Sequence, residues 1–214
     1  YIPGNKIRIH GAYDIVSQRG IEQVMEVQLQ YSFFPVREVE MKAAIDYRSV
    51  NVGEPVTIGD ATVTALLLNH PVVNFGYRID CNGKSVFFTG DHEPWLNIYA
   101  PEDDGYAEFQ QIIDQQQAHL DTALAGVDIM IADSSYTATE YQSKLGWGHG
   151  TLEGSIAWGR RLGVKTLVCT HHEPERDDDA LEAVFDAALN ANGVTADGGE
   201  TTYLLSREGM EMLL

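Results

Sequence analysis

The feature that most restricts how this chain can fold is the crowding of short apolar runs between Pro55 and Thr89. Residues 55–58, 61–68, 75–80 and 85–89 are rich in β-branched, aliphatic and aromatic side chains, and turns at Gly59-Asp60 and Asn82-Gly83 punctuate them. Runs this short, broken this often, read as strands of an antiparallel block, and the pair flanking Asn82-Gly83 is its clearest hairpin. Beyond Thr89 the texture becomes alternating helix and strand. A helix is predicted over 106–124, a strand over 127–132, a helix over 152–162, a strand over 165–170 and a helix over 178–190, with closing strands at 202–205 and 210–213. Upstream, the spacing predicts a strand over 6–10, a short amphipathic helix over 21–29 and a strand over 38–47. An antiparallel block followed by β-α-β-α units implies an α/β (layered α+β) fold with helices packed outside sheet.

At 214 residues and 44% hydrophobic, the chain can bury a full core as one domain over 1–214. Its formal charge of -18 opposes a phosphate backbone, which disfavours nucleic acid as a partner held by charge alone. Cys81 and Cys169 each fall in an apolar strand-like run, so free thiols are expected rather than a disulfide framework or a thiolate zinc site. No run approaches the roughly 18 apolar residues of a membrane span, and no signal-peptide pattern is present, so the expected setting is cytoplasmic, without a membrane partner.

Histidines and an aspartate gather where strands stop. His70 ends the run 65–70, Asp91 follows 86–90 with His92 beside it, and His171 and His172 follow 166–170. Strands that terminate at one sheet edge can bring such distant side chains together in fixed geometry. Imidazole and carboxylate suit Zn²⁺, Mn²⁺ or Fe, and a carboxylate has two oxygens with which to bridge two ions, which makes Asp91 the bridging candidate. His149 sits in the glycine-flanked segment 146–150, with Thr151 as the N-cap of the next helix, a setting suited to donating a proton to a leaving oxygen or simply to a turn facing water. His92 is expected to support a neighbour rather than bind metal, and His10 and His119 to be structural or surface residues. Asp133 reads as a turn residue first and as the partner of a ligating histidine second. The acidic run 173–179 reads as a solvated loop and helix start, with substrate contact at Arg176 as the alternative.

The segments Asn69-His70-Pro-Val-Val-Asn-Phe-Gly76-Tyr77-Arg78, Phe87-Phe-Thr-Gly-Asp91-His-Glu-Pro94, Gly148-His149-Gly-Thr151 and Thr170-His171-His172-Glu-Pro174 resemble, in order and spacing, the second half of metallo-β-lactamase-fold phosphodiesterases. The nearest branches are tRNA 3′-end processing endonucleases (tRNase Z) and phosphoribosyl cyclic phosphodiesterases. The resemblance implies the C-terminal portion of an αββα sandwich holding two divalent metals, zinc first, with manganese or iron as alternatives. It implies His70, Asp91 and His171 as metal ligands, Asp91 bridging, and His149 as the loop histidine that assists the departing oxygen; His172 ranks below His171. The His-x-His-x-Asp-His motif of those enzymes is absent from this sequence, so the expectation is an N-terminally incomplete domain, inactive without ligands supplied upstream.

What the resemblance implies is metal-dependent phosphodiester hydrolysis, with a small cyclic or nucleotide-like phosphodiester preferred over tRNA because no Lys/Arg-rich insertion is present. tRNA processing on the same fold is the alternative, and a binding or sensing domain that lost its metals is a reading from a different class. Dimers are common among the proteins it resembles, so a homodimer is possible on that ground. A dinucleotide-binding domain is poorly supported, because no Gly-x-Gly-x-x-Gly follows a strand.

Overall fold

The structure is a computed structural model describing residues 2–36, 40–197 and 199–214. Its contacts gather into two compact units, Tyr1–Val56 and Thr57–Leu214. In the first, strands β1 (Lys6–Ala12) and β2 (Ala44–Val50) pair in parallel with Lys6 opposite Ala44, and helix α1 (Ile21–Gln28) connects them. Gly11 lets α1 approach, since a Cβ there would stand 2.7 Å from Ile21 Cδ1. The strand expected over 38–47 begins only at Ala44 and runs on to Val50, where the Asn51 turn ends it; residues 38 and 39 lie outside the described residues.

The second unit is built on a sheet of order β3-β4-β5-β6-β7-β8-β9. Strands β4 (Ala61–Leu68), β5 (Asn74–Cys81) and β6 (Lys84–Phe88) form the expected antiparallel block beside the short β3 (Pro55–Ile58). The Asn82-Gly83 hairpin has both residues at positive φ, 52° and 75°, the conformation that favours Asn-Gly in such a turn. From β6 onward β7 (Ile129–Asp133), β8 (Thr166–Thr170) and β9 (Thr202–Leu205) pair in parallel, linked by helices α2 (Tyr106–Leu124), α4 (Leu152–Leu162) and α5 (Asp178–Ala191). The alternation of β5 is what matters for placement. Because it returns antiparallel, β4 and β6 run the same way as β7, β8 and β9, and these five strands end at one edge.

Alternate residues of each strand face opposite sides of the sheet. One set, Leu68, Phe87, Met130, Leu167, Cys169 and Tyr203, packs with Leu124 of α2, Ile156 of α4 and Phe185 of α5 into a buried core. Each large apolar side chain so buried contributes about 1.5–3 kcal/mol. The alternate set is also apolar, but Ile79 and Phe88 within it are exposed. The strand expected at 210–213 does not form. Met210 N–H instead donates to the Arg207 carbonyl (3.1 Å) in a turn eased by Gly209 at φ 76°, and Met210, Met212 and Leu214 line an apolar groove with Val86, Ile129, Ile131 and Val168. Covering that apolar face outweighs extending the sheet edge. A four-residue helix α3 (Ala138–Tyr141), capped reciprocally by Thr137 and Glu140, is an element the sequence pattern does not announce. Among the described residues no helix is long and apolar enough to cross a membrane.

At the opposite edge of the sheet, Asp128 ties three strands. Its carboxylate accepts from Lys165 Nζ (2.6 Å) and from Ser85 N–H (2.8 Å). The Lys165 hydrogen bond, followed by that from the Ser85 backbone, lowers its pKa to about 2. Because the folded value lies below the ordinary carboxylate value, the stabilisation is present above about pH 4 and is lost as pH falls toward 2. Asp128→Asn is therefore expected to melt below the wild type at pH 7, with the gap narrowing between pH 4 and pH 2. Thermal melts at those pH values check this, and a gap constant with pH would contradict it.

Candidate metal centre

Four of the five strand ends at that edge, those of β4, β6, β7 and β8, each deliver one component. β4 leads through Asn69 into His70, β6 through Thr89-Gly90 into Asp91, β7 ends on Asp133, and β8 leads into His171. Gly90 turns the chain at φ 60°. His171 also adopts positive φ, 60°, a conformation uncommon outside glycine, and the fold holds it there through the Ser135 hydroxyl, 2.6 Å from the His171 carbonyl oxygen.

The two oxygens of Asp91 face different imidazoles. Oδ2 lies 3.6 Å from His70 Nε2, and Oδ1 lies 3.2 Å from His171 Nε2. His149 stands beside both histidines, its ring stacked on His171 with centroids 4.6 Å apart and edge-on to His70 at 5.8 Å. Ligand-capable atoms of His70, Asp91 and His149 lie within 4.8 Å of one another, as do those of Asp133, His149 and His171. The four residues singled out from the sequence are thus gathered in one cluster, and these donors suit a divalent metal.

Asp133 is buried and hydrogen-bonds a histidine of the cluster. Oδ2 accepts from His149 Nδ1 (2.8 Å) and from the His92 N–H (3.0 Å), while Oδ1 accepts from the Ser135 N–H (3.2 Å). The Ser135 hydroxyl lies 2.8 Å from Oδ1, 2.6 Å from the His171 carbonyl oxygen and 3.0 Å from His171 Nδ1; with the His171 proton on Nδ1 the ring donates to Ser135 Oγ, and the hydroxyl proton goes to one of the two oxygens. Carboxylate and hydroxyl partners of this kind fix the orientation of ligating imidazoles. His92 keeps out of the cluster. Its Nδ1 accepts the Asn69 N–H (3.4 Å), and burial lowers its pKa to about 4, which keeps the ring neutral. His172 turns toward Ser206, whose carbonyl oxygen lies 3.3 Å from Nε2, and burial lowers its pKa. Arg176 donates to the Ser135 carbonyl (3.0 Å) and pairs with Glu140, so it braces the site's wall. His119 is exposed on α2. Both cysteines are free, Cys169 buried with its thiol pushed up to about 12 by desolvation.

Glu93 and Ser135 are site-shaping residues that sequence reasoning did not single out. Glu93 is only 2% exposed, and its carboxylate accepts from Tyr141 Oη (2.6 Å), Gly146 N–H (2.7 Å) and Gly148 N–H (2.9 Å). Burial and then this carboxylate raise the Tyr141 pKa. The 146–150 loop is wrapped around one buried charge, and it presses on the cluster: a Cβ at Gly148 would stand 2.3 Å from His70 Cδ2, and one at Gly150 2.8 Å from the Asp133 carbonyl oxygen. Thr151 closes the loop as the expected N-cap of α4, accepting from Gly154 N–H (3.0 Å). The available signal was adjacency to Asp91; burial of a glutamate is not legible in one sequence.

With the geometry in view, comparison with known proteins becomes informative. Residues 5–172 match the model of the beta-lactamase superfamily domain, and the chain belongs to that superfamily. The uncharacterized protein Rv1339 of Mycobacterium tuberculosis is 31% identical over 143 residues, which cover 64% of this chain and 44% of that protein. The chain thus spans less than half the length of the curated relatives it matches. Among solved structures, yeast PDE1 is similar with a TM-score of 0.61 and 14% identity, covering 94% of this chain and 58% of that one. The metallo-beta-lactamase fold protein YhfI from Bacillus subtilis follows at 0.57 and 18%, covering 96% and 64%. A diphosphatase from the PhnP family follows at 0.56 and 16%, covering 99% and 60%. At these identities the structures establish the fold, which is that of the metallo-β-lactamases, and the expected αββα class with it.

Glu93→Gln is expected to destabilise the second unit by about 1–3 kcal/mol, the range for disturbing buried hydrogen bonds to a charged group. Hydrogen exchange at the Gly146 and Gly148 amides should accelerate more than in the core strands. Unchanged protection at those two amides would contradict the assignment.

Proposed function

We propose that this chain carries part of the active site of a metal-dependent hydrolase, a phosphodiesterase acting on a small cyclic or nucleotide-like phosphodiester. The observation that carries the reading is the disposition of Asp91, whose two oxygens address His70 on one side and His171 on the other. A carboxylate so placed would hold metal in company with either imidazole, and imidazole and carboxylate donors fit zinc, manganese or iron. His70, Asp91 and His171 would hold the metals in company with ligands from the rest of the full-length protein. When bound, a pair of divalent ions supplies hydroxide near neutral pH and neutralises charge on the phosphoryl oxygens.

The remaining work falls to the chain's own side chains. Asp133 accepts the Nδ1 proton of His149, which fixes the ring and leaves Nε2 as the atom available to the substrate. From that nitrogen His149 can pass a proton to the departing oxygen. The docked 146–150 loop keeps the ring at the cluster, and the Ser135 contact does the same for His171. The net charge of -18 supports a compact substrate over tRNA, since no broad basic surface would offset a long phosphate backbone.

The test is metal content and hydrolysis of bis(p-nitrophenyl) phosphate by the full-length protein, wild type and Asp91→Ala. Asp91→Ala should lose bound metal and reduce the rate by more than the roughly 10- to 100-fold that removal of an outer hydrogen-bond partner costs. Full occupancy with unchanged rate in Asp91→Ala would overturn the proposal.

A further inference from the structure

The loop that carries His149 also carries an aromatic group that the hydrolytic chemistry leaves unused. Trp147 is 56% exposed and stands two residues before His149, so the two Cα atoms lie within about 7 Å of each other. A single exposed indole on a free loop would carry no meaning. This one is held in place. The amides on either side of it, Gly146 N–H and Gly148 N–H, donate to the buried Glu93 carboxylate, and its own N–H donates to the Lys144 carbonyl (3.0 Å). Gly148 lays the loop against the His70 end of the cluster, where a Cβ would stand 2.6 Å from Pro71 Cδ.

A cation completes the arrangement. Lys144 Nζ lies over the indole, 4.0 Å from the ring centroid, and 5.8 Å from that of Tyr136, whose buried ring meets His149 edge-on at 6.2 Å. Arg176 is tied to Glu140, but among the described residues no carboxylate pairs with Lys144. Its ammonium therefore fixes the indole by cation–π attraction and, in a protein of net charge -18, leaves local positive charge beside the cluster for an anionic substrate. A phosphoryl group held at the metals must extend its ester groups toward this rim. A nucleoside ester places an aromatic base there, one sugar away from phosphorus, and any base has a π face that stacks on an indole. A sugar phosphate without a base would gain nothing from Trp147. Resting on the phosphodiesterase reading above, we propose that Trp147, steadied by Lys144, is the platform on which the base of a nucleotide-type phosphodiester stacks.

Two esters with the same leaving group isolate the base: the p-nitrophenyl ester of thymidine 5′-monophosphate, and methyl p-nitrophenyl phosphate, which lacks the nucleoside. The full-length, metal-loaded wild type should hydrolyse both. Trp147→Ala should raise KM for the thymidine ester about tenfold, the loss of one base–aromatic stack, with kcat and the methyl ester's kcat/KM changed by less than about twofold. Trp147→Phe keeps an aromatic face and should hold KM within about threefold of wild type. Independently of turnover, thymidine 5′-monophosphate titrated into the ¹⁵N-labelled full-length protein should shift the Trp147 indole N–H more than those of Trp95 and Trp158. Unchanged KM for the thymidine ester in Trp147→Ala, equal losses on both esters, or no shift at Trp147 would each overturn this inference while leaving the phosphodiesterase reading in place. A metal-loaded wild type that hydrolyses neither ester would overturn that reading and this inference with it.

Discussion

A carboxylate at the inner end of a parallel strand has lost its water and must find donors, and Asp133 finds them in the loops that make the site. His92 N–H, His149 Nδ1, Ser135 N–H and the Ser135 hydroxyl all converge on it. An unpaired buried charge would cost several kcal/mol, so the folded state is stable only when those loops are in register. The same bonds that satisfy Asp133 aim His149 and, through Ser135, steady His171. Glu93 repeats the principle one layer out, where a second buried carboxylate gathers the backbone N–H groups of the glycine loop. Site geometry and local stability are therefore one property, set by two buried acids.

The sheet supplies the frame on which this works. With β4, β6, β7 and β8 all running in one direction, their ends form a rigid rim, and ligands far apart in sequence become neighbours. Rigid strand ends hold donor atoms more closely than free loops could. The helix-covered face provides the packed core, whereas the opposite face remains apolar with Ile79 and Phe88 exposed. A sheet that is apolar on both sides is the kind that lies between two layers, in keeping with the fold of the superfamily.

Much of this was legible from residue pattern. The boundaries of α2 and α4 and the positions of β3, β4 and β9 follow from periodicity and turn residues, because those elements obey local rules without competition. Residues 210–213 look like a strand by composition, yet their apolar side chains are better used against the sheet face than in edge pairing, a decision made by tertiary contact. The metal-type residues announced themselves by standing at strand ends. Glu93 and Ser135 did not, since what makes them important is burial and the partners they meet, and Asp133 read first as an ordinary turn residue. The sequence pattern marks the groups that face a ligand; the groups that hold them in place become visible only when the strands are assembled.

Anomalous diffraction at the zinc edge from crystals of the full-length protein soaked in zinc would bear most directly on the central claim. Two peaks flanking the Asp91 carboxylate are expected, with one near His70 and one near His171. Zinc bound elsewhere, with Asp91 free of any metal contact, would contradict it.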